Sequence, residues 1–437
     1  MKKITKKDIE LSILTLDSPL WRIGYLEDYF NEINESSSAR TEFIGLTELD
    51  KWNFDSNGNF SHETGRFFKV TGLFYENISS GILLQSDIGT LGVIYTFIDG
   101  ILHFLIQFQE EPGSLGPFQL FSTIQATKSN YSRVHGGNLP PYWEEFNNLS
   151  RNNILFEGIL SEQGSRYFQK YNRNVIIYSD EVIKELDNFK WMTLGQLYNF
   201  HKIDNSIASC LRSVLSLMNP LSDENPNLAN SKNLNFLLNR NKDEYKVESR
   251  IQDNIKNFYD HKTDTIEIRT ELDTFSINAV RVDIKGREVK SWSQPIVVED
   301  KNFDYYLFRI ISEDKIYYMW KLTIEPGYSF GFMYGPTILD TSYLKNENNL
   351  EEIIKKLNNV GTVKFNSSFV MSEEGGRFWR STATHHIYDV FVNLRLLPEE
   401  FVVFDENETH KLIEDGFLSI EARSLLYFSN SQPVSLN

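Results

Sequence analysis

The stretch SEQGSRYF at residues 161 to 168 returns as SEEGGRFW at residues 372 to 379. A second word, EEPGS at 110 to 114, returns as IEPGY at 324 to 328, in the same order and at nearly the same separation. Two ordered echoes argue for duplication of a module. The runs leading into each E-P-G also match. Leu102, Phe104, Ile106 and Phe108 alternate with His103, Leu105, Gln107, Gln109 and Glu111. In the second half Tyr318, Trp320, Leu322 and Ile324 alternate with Tyr317, Met319, Lys321, Thr323 and Glu325. Period-two alternation over this length reads as a half-buried strand. E-P-G ends it, because Pro cannot donate to the ladder and Gly permits a turn.

Further strand patterns are GRFFKVTGLFY, GVIYTFI, NVIIYS, YYLFRII and DVFVNLR. Helices are fewer. TLGQLYNF opens with a capping box, Thr193 with Gln196, and Ile207, Leu211, Val214, Leu215 and Met218 fall at helical spacing between 206 and 218. The expectation is an α+β fold: two modules, 1–220 and 250–437, each built round a mixed or antiparallel sheet with flanking helices. A linker over 221–249, rich in Asn, Ser and charge, joins them.

Composition bounds the function. A chain of 437 residues is longer than one core usually serves, which agrees with two modules. With 41% hydrophobic and 14% aromatic residues it is no disordered chain. A net charge of −16 argues against nucleic acid, since phosphate binding needs a basic face. The single cysteine, Cys210, excludes an internal disulfide and fits a reducing cytoplasm. Acids interrupt the short apolar run of MKKITKKDIELSILTLDS, so it is not read as a secretion signal. No run is long enough to span a bilayer.

Against that acidic background TIQATKSNYSRVHGGNLPPYW, residues 123 to 143, carries Lys128, Arg133 and His135 and no acid. SEQGSRYFQKYNRN adds Glu162, Arg166, Lys170 and Arg173. Such a cluster suits a diphosphate, for which Arg offers a bidentate fork. Gln125, Thr127, Ser129 and Asn130 supply neutral polar groups, and Tyr142 with Trp143 could stack on a base. The bland alternatives stand beside this: Arg166 pairing with Glu162, Trp143 in the core, Lys170 and Arg173 on a solvated face. Nucleotide fingerprints, phosphate loops and paired-cysteine zinc motifs are missing from the sequence. GYSFG at 327 to 331 fits G-x-S-x-G but lacks a following helix start, so Ser329 reads as a turn residue. His385 and His386 are adjacent, face opposite ways in a strand, and do not suit a shared metal.

A longer series of words decides the family. FIGLTELDKWNFD, SHETGRFFKVTG, HFLIQFQEEPG, STIQATKSNYSRVHGG, PPYWEEF, SEQGSRYFQKYNRN and FKWMTLGQL are followed by GREVKSWSQPIV, EPG, SEEGGRF and EARSLL. From Phe43 to Leu426 the chain resembles the NDP-hexose 2,3-dehydratases of deoxysugar biosynthesis. The resemblance implies a tandem of Nudix-like modules, a homodimer, and a 4-keto-6-deoxyglucose substrate usually carried on dTDP. It implies loss of water across C2 and C3, giving a 3,4-diketo-2,6-dideoxy sugar that a partner ketoreductase consumes. It implies no cofactor, and the chain lacks the clustered glutamates of a Nudix box. On that chemistry His135, His103, Tyr131 and Glu162 are the candidates for proton transfer. Lys128 and Arg133 would hold the enolate or phosphate, and Arg166, ahead of Arg173, the diphosphate. The second half departs from the family's words at YYMWKL, GPTILDTS and FVVFDENETHKL. It is therefore expected to be a structural duplicate, with the chemistry in the first half. The competing readings are a non-catalytic nucleotide-sugar-binding protein and an epimerase on the same 4-keto sugar.

Overall fold

The computed structural model describes residues 4–132, 138–148, 153–218, 249–252, 254–270, 274–287, 289–339 and 350–432. Each half of the chain forms a large sheet. In the first half the order is Ile154–Ser161, Tyr171–Tyr178, Gly89–Ile98, Ile101–Glu110, Phe189–Met192, with Phe118–Phe121 and Ile124–Ala126 added at one end. The second half repeats the path: Thr362–Ser372, Thr382–Phe391, Phe303–Ser312, Lys315–Tyr318, Phe404–Asp405. Register repeats as well, with Asn172 opposite Gly89 and Ala383 opposite Phe303. These two central pairings are parallel and the other described pairings of the large sheets are antiparallel, so the sheets are mixed.

The alternating run of the first half is a strand, buried on both faces rather than one. Leu102, Phe104, Ile106 and Phe108 pack into a core with Ile9, Leu197 and Leu211 from the helices Lys6–Leu14, Leu194–Asn199 and Ser209–Leu215, and with Phe200 just after the second of these. Leu105 faces the other way into a second core with Phe146, Val175, Phe189 and Trp191. The matching run of the second half breaks. The chain leaves the large sheet after Tyr318, and Lys321–Ile324 pairs with Phe332–Gly335 instead. The capping box forms: Thr193 Oγ1 accepts from the Gln196 N–H at 3.1 Å, and Gln196 Oε1 accepts from the Thr193 N–H at 3.0 Å. Met218 lies beyond the end of the short helix Ser209–Leu215, whose counterpart is Ile420–Ser431.

Two smaller sheets show how the halves join. Trp52–Phe54, Phe60–His62, Lys69–Tyr75 and Ile78–Leu84 take their fifth strand, Ser249–Gln252, from the second half. Tyr259–Asp260, Thr265–Arg269, Thr274–Asp283 and Ser291–Glu299 take theirs, Arg40–Ile44, from the first. Each repeat thus lends a strand to the other's sheet. Of the segment read as a linker, 221–248 lies outside the described residues. No described helix is long and apolar enough to cross a membrane.

Candidate active site

The two echoed words are where the halves meet. SEQGSRYF follows the strand Ile154–Ser161, and SEEGGRFW follows Thr362–Ser372. Both loops close alike: the Glu162 N–H donates to the Lys170 carbonyl and the Glu373 N–H to the Ser381 carbonyl, each at 2.9 Å. The loops lie against each other. Gln163 Nε2 donates to Glu373 Oε2 at 2.9 Å, and the Tyr167 hydroxyl to Glu374 Oε2 at 2.8 Å. The E-P-G turns are clamped across the same seam. Gly113 N–H donates to the Gly375 carbonyl and Gly327 N–H to the Gly164 carbonyl. A Cβ at Gly113 would stand 1.8 Å from the Phe378 carbonyl oxygen, and one at Gly327 1.9 Å from that of Tyr167. Only glycine permits backbones this close.

The seam holds two cavities at equivalent places. The first, about 50 Å³, is lined by Gln85, Gly89, Gln125, Thr127, Glu162, Tyr167, Lys170, Asn172 and Cys210 from the first half. Glu374, Arg377 and Ile420 reach it from the second. The second cavity, about 20 Å³, is lined by Glu299, Phe303, Tyr305, Glu373, Phe378, Ser381 and Glu421, with Gln163, Ser165 and Arg166 crossing from the first half. The loops therefore divide their residues: each keeps its first glutamate and lends its arginine to the other half's cavity.

In the first cavity burial raises the Glu162 carboxyl above the usual range, and the Arg423 charge pulls it back. Its Oε1 accepts from Asn172 Nδ2, and Asn172 Oδ1 accepts from the Gly89 N–H at 3.1 Å. Burial lowers Lys170, whose ammonium donates to the Asp87 carbonyl. Gln125 Nε2 donates at 3.2 Å to Glu111, which burial and the neighbouring Glu374 push up to about 7. The Arg377 guanidinium stacks 4.8 Å over Phe68, and its buried Nε meets no hydrogen-bond partner. Among the described residues no group of His, Cys, Asp and Glu suits a metal.

The residues expected from sequence scatter. Glu162, Gln125 and Thr127 line the first cavity. Arg166 does not: its Nε pairs with Glu299 Oε1 at 2.7 Å, both side chains are buried, and it sits over Phe275 beside the second cavity. Its ion pair is thus with Glu299 rather than with Glu162. Lys170, expected either in the diphosphate cluster or on a solvated face, is buried and lines the first cavity. His103 is buried in its strand with Nδ1 at 2.9 Å from the Ile101 carbonyl, away from the cavity lining. Tyr131 stacks on Trp143 with ring centres 4.4 Å apart, so the two rings cover each other. Tyr142 donates to the Lys184 carbonyl and meets Phe189 edge-on. Asn130 Oδ1 accepts from Thr127, and the Lys128 N–H donates to Asp87 Oδ2 at 3.1 Å while its side chain is exposed. Arg173 pairs with Glu157. Arg133, His135 and the Ser129 side chain lie outside the described residues. Sequence reasoning missed Arg377 and Glu374. The echo contained the signal, since Arg377 repeats Arg166, but nothing local says that the two arginines trade places.

The model of the family described as NDP-hexose 2,3-dehydratase matches residues 24–218 and again 235–428. The chain belongs to this family. It is 30% identical to a dTDP-4-dehydro-6-deoxy-alpha-D-glucopyranose 2,3-dehydratase of Saccharopolyspora spinosa, over 89% of this chain and 87% of that one. An enzyme of the same name from Amycolatopsis orientalis is 28% identical over 97% and 93% of the two chains. A solved structure titled ADP compounds hydrolase aligns with 37% of this chain and 86% of its own at 15% identity and a TM-score of 0.23, a likeness too slight to argue from. For an NDP-hexose 2,3-dehydratase the reaction class is loss of water, a carbon–oxygen lyase step. The double match agrees with the doubled sheets.

Proposed function

We propose that the first cavity is where a dTDP-linked 4-keto-6-deoxyglucose loses water across C2 and C3. The observation that carries this is the grouping of a buried carboxyl, Glu162, with two cations, Lys170 and Arg377, at a place whose mirror holds Ser381 and an arginine paired at 2.7 Å with Glu299, where Arg377 has Glu374 at 3.9 Å. Glu162 is the base. Its raised pKa makes its ionised form a stronger proton acceptor. It takes the C3 proton, and the electron pair of that bond moves toward C4 and its oxygen. Arg377, with its unfilled Nε, holds that oxygen as charge develops. The enolate then expels the C2 hydroxyl, and Lys170, lowered by burial, protonates it as it leaves. The remaining C2=C3 enol tautomerises to the 3-ketone. Asn172, held by the Gly89 backbone, fixes the Glu162 carboxylate.

Within the same reading, Lys128, Ser129, Asn130, Arg133 and His135 are assigned to binding the nucleotide. The protein works in the cytoplasm as a homodimer, its product passes to a 3-ketoreductase, and its repeats divide at about 220 and 250. The test is incubation with dTDP-4-keto-6-deoxyglucose and a trapping ketoreductase, with Glu162→Gln beside the parent. Loss of the C2 hydroxyl, abolished in the variant while dTDP still binds, is the expected result. Deuterium washed into an otherwise unchanged sugar would replace this reading by epimerisation, and dTDP binding without turnover by a binding protein.

A further inference from the structure

The helix Ile420–Ser431 ends the described chain, far in sequence from Glu162, yet it carries an arginine aimed at the strand end before Glu162. Arg423 is 1% exposed. Its Nη2 donates to the Ser161 carbonyl at 2.7 Å, its Nη1 to the Leu418 carbonyl at 2.6 Å, and its Nε to Ser213 Oγ at 3.0 Å. All three nitrogens are engaged, so the guanidinium has one orientation. Its mirror is Arg212 on Ser209–Leu215, also fully buried. Arg212 donates to the Ser372 carbonyl at 3.1 Å, to the Ile207 carbonyl at 2.5 Å and to Ser424 Oγ at 3.2 Å. Burying two guanidinium ions is costly unless each is paired and fully hydrogen-bonded. A helix needing only to pack on the sheet would carry an aliphatic residue here.

We propose that Arg423 is a positioning residue for the dehydration: the second half reaches through it to orient Glu162 and hold its charge beside the substrate. The inference rests on Glu162 being the base. Arg423 fixes the Ser161 carbonyl, hence the backbone from which Glu162 enters the cavity. It also sets a cation beside a carboxylate that must ionise. The other charged or titratable groups about Glu162 are Lys170 just before the next strand, Glu374 and Arg377 from the opposing loop, Tyr167 on its own loop and Cys210 on the neighbouring helix. Of these, Arg423 has the largest electrostatic influence and lowers the carboxyl; Glu374 opposes it. Arg212 serves the mirror position, 3.8 Å from Glu373, and so supplies a built-in control.

The test is the pH profile of kcat/KM on dTDP-4-keto-6-deoxyglucose for the parent, Arg423→Gln, Arg423→Lys and Arg212→Lys. Removing the cation lets burial act unopposed, so the Glu162 carboxyl rises and the limb on which activity appears moves to higher pH. The expected shift is about one unit for Arg423→Gln, the lower end for loss of an opposite charge at close range. Arg423→Lys restores most of it, and Arg212→Lys leaves the limb in place. Should the arginine variants fail to fold, Ser213→Ala loosens Arg423 without removing its charge and is expected to give a smaller shift of the same sign. An unmoved limb in Arg423→Gln, or in Ser213→Ala where that stands in, overturns the proposal. So does an equal shift in Arg212→Lys, which marks a general effect of disturbing the seam. Glu162→Gln separates the two failures: if it stays active the base is misassigned, whereas an inactive Glu162→Gln beside an unmoved limb refutes only the role of Arg423.

Discussion

The two cavities are one design at two settings. Both lie on the same seam, beside equivalent loops and equivalent helices, with equivalent strand pairs behind them. At the first, Gly89, Leu91, Lys170 and Cys210 leave space and supply a cation. At the second, Phe303, Tyr305, Ser381 and Glu421 stand in those places, filling the space and adding a carboxylate. Gln85 faces Glu299 across the comparison. Glu299 pairs with Arg166 at 2.7 Å, while Arg377, with the uncharged Gln85 at the equivalent place, has Glu374 at 3.9 Å and an Nε without a hydrogen bond. The same duplicated arginine is thus held at 2.7 Å by a carboxylate from another strand on one side and only at 3.9 Å by its own loop's Glu374 on the other. A duplicated fold can keep its scaffold while one copy of its site becomes packing.

The sharpest way to break this comparison is to make the same change in both cavities. Glu162→Gln is expected to lower kcat by about 10²–10⁴-fold, the range of one general base. Glu373→Gln is expected to leave kcat within a few-fold. Equal losses would show that both cavities react. The next effect concerns the arginines. Arg166→Ala leaves Glu299 buried without its partner, and breaking a buried pair this way costs about 3–5 kcal/mol. Thermal unfolding should show a large fall in Tm, with dTDP affinity unchanged in the fraction that remains folded. A variant that stays stable but loses dTDP would return Arg166 to the ligand.

Much of the fold was legible because it is periodic and local. The alternating run at 102–108, the Thr193–Gln196 cap and the repeat itself are each settled by neighbours in sequence. The site was legible in part. Glu162, Gln125 and Thr127 were found because they lie in basic or polar words from one half. Arg377 and Arg423 were not, since their roles depend on a crossing between halves that no local pattern encodes. Lys170 could be read as a surface lysine because its bond to the Asp87 carbonyl joins residues far apart in sequence. The break after Tyr318 was hidden too, because alternation continues through Trp320 and Leu322 while the chain changes sheets.

Acid–base behaviour gives the next comparison. Burial and the nearby Glu421 push Glu325 up to about 8, and burial pushes Glu373 to about 7. A carboxyl raised in the folded state keeps its proton there while the unfolded chain releases it. The stability it supplies is present below the unfolded pKa near 4.5 and is lost as pH rises toward 8. The seam should therefore favour mildly acidic solution. Glu325→Gln removes the charge that must be buried above pH 8 and is expected to raise stability there by about 1–3 kcal/mol. Denaturant melts at pH 5 should show little difference between parent and variant. A gain of equal size at both pH values would place the effect in packing rather than charge.

The smallest expected effect tests whether one residue sets the two cavities apart. Gln85→Glu copies Glu299 into the first cavity while leaving Glu162, Lys170 and Arg377 intact. The new carboxylate faces Arg377 as Glu299 faces Arg166. It would compete with an anionic substrate for the guanidinium and fill the nitrogen proposed above to receive the developing charge. One such contact under partial screening amounts to about 1.4 kcal/mol, a roughly tenfold effect. The expected outcome is a roughly tenfold lower kcat/KM with an unchanged fold. If Arg377 acts mainly on the enolate oxygen, the loss falls on kcat; if it mainly binds substrate, the loss falls on KM. Kinetics indistinguishable from the parent would mean that the bulk of Phe303 and Tyr305, rather than the charge of Glu299, is what closed the second cavity.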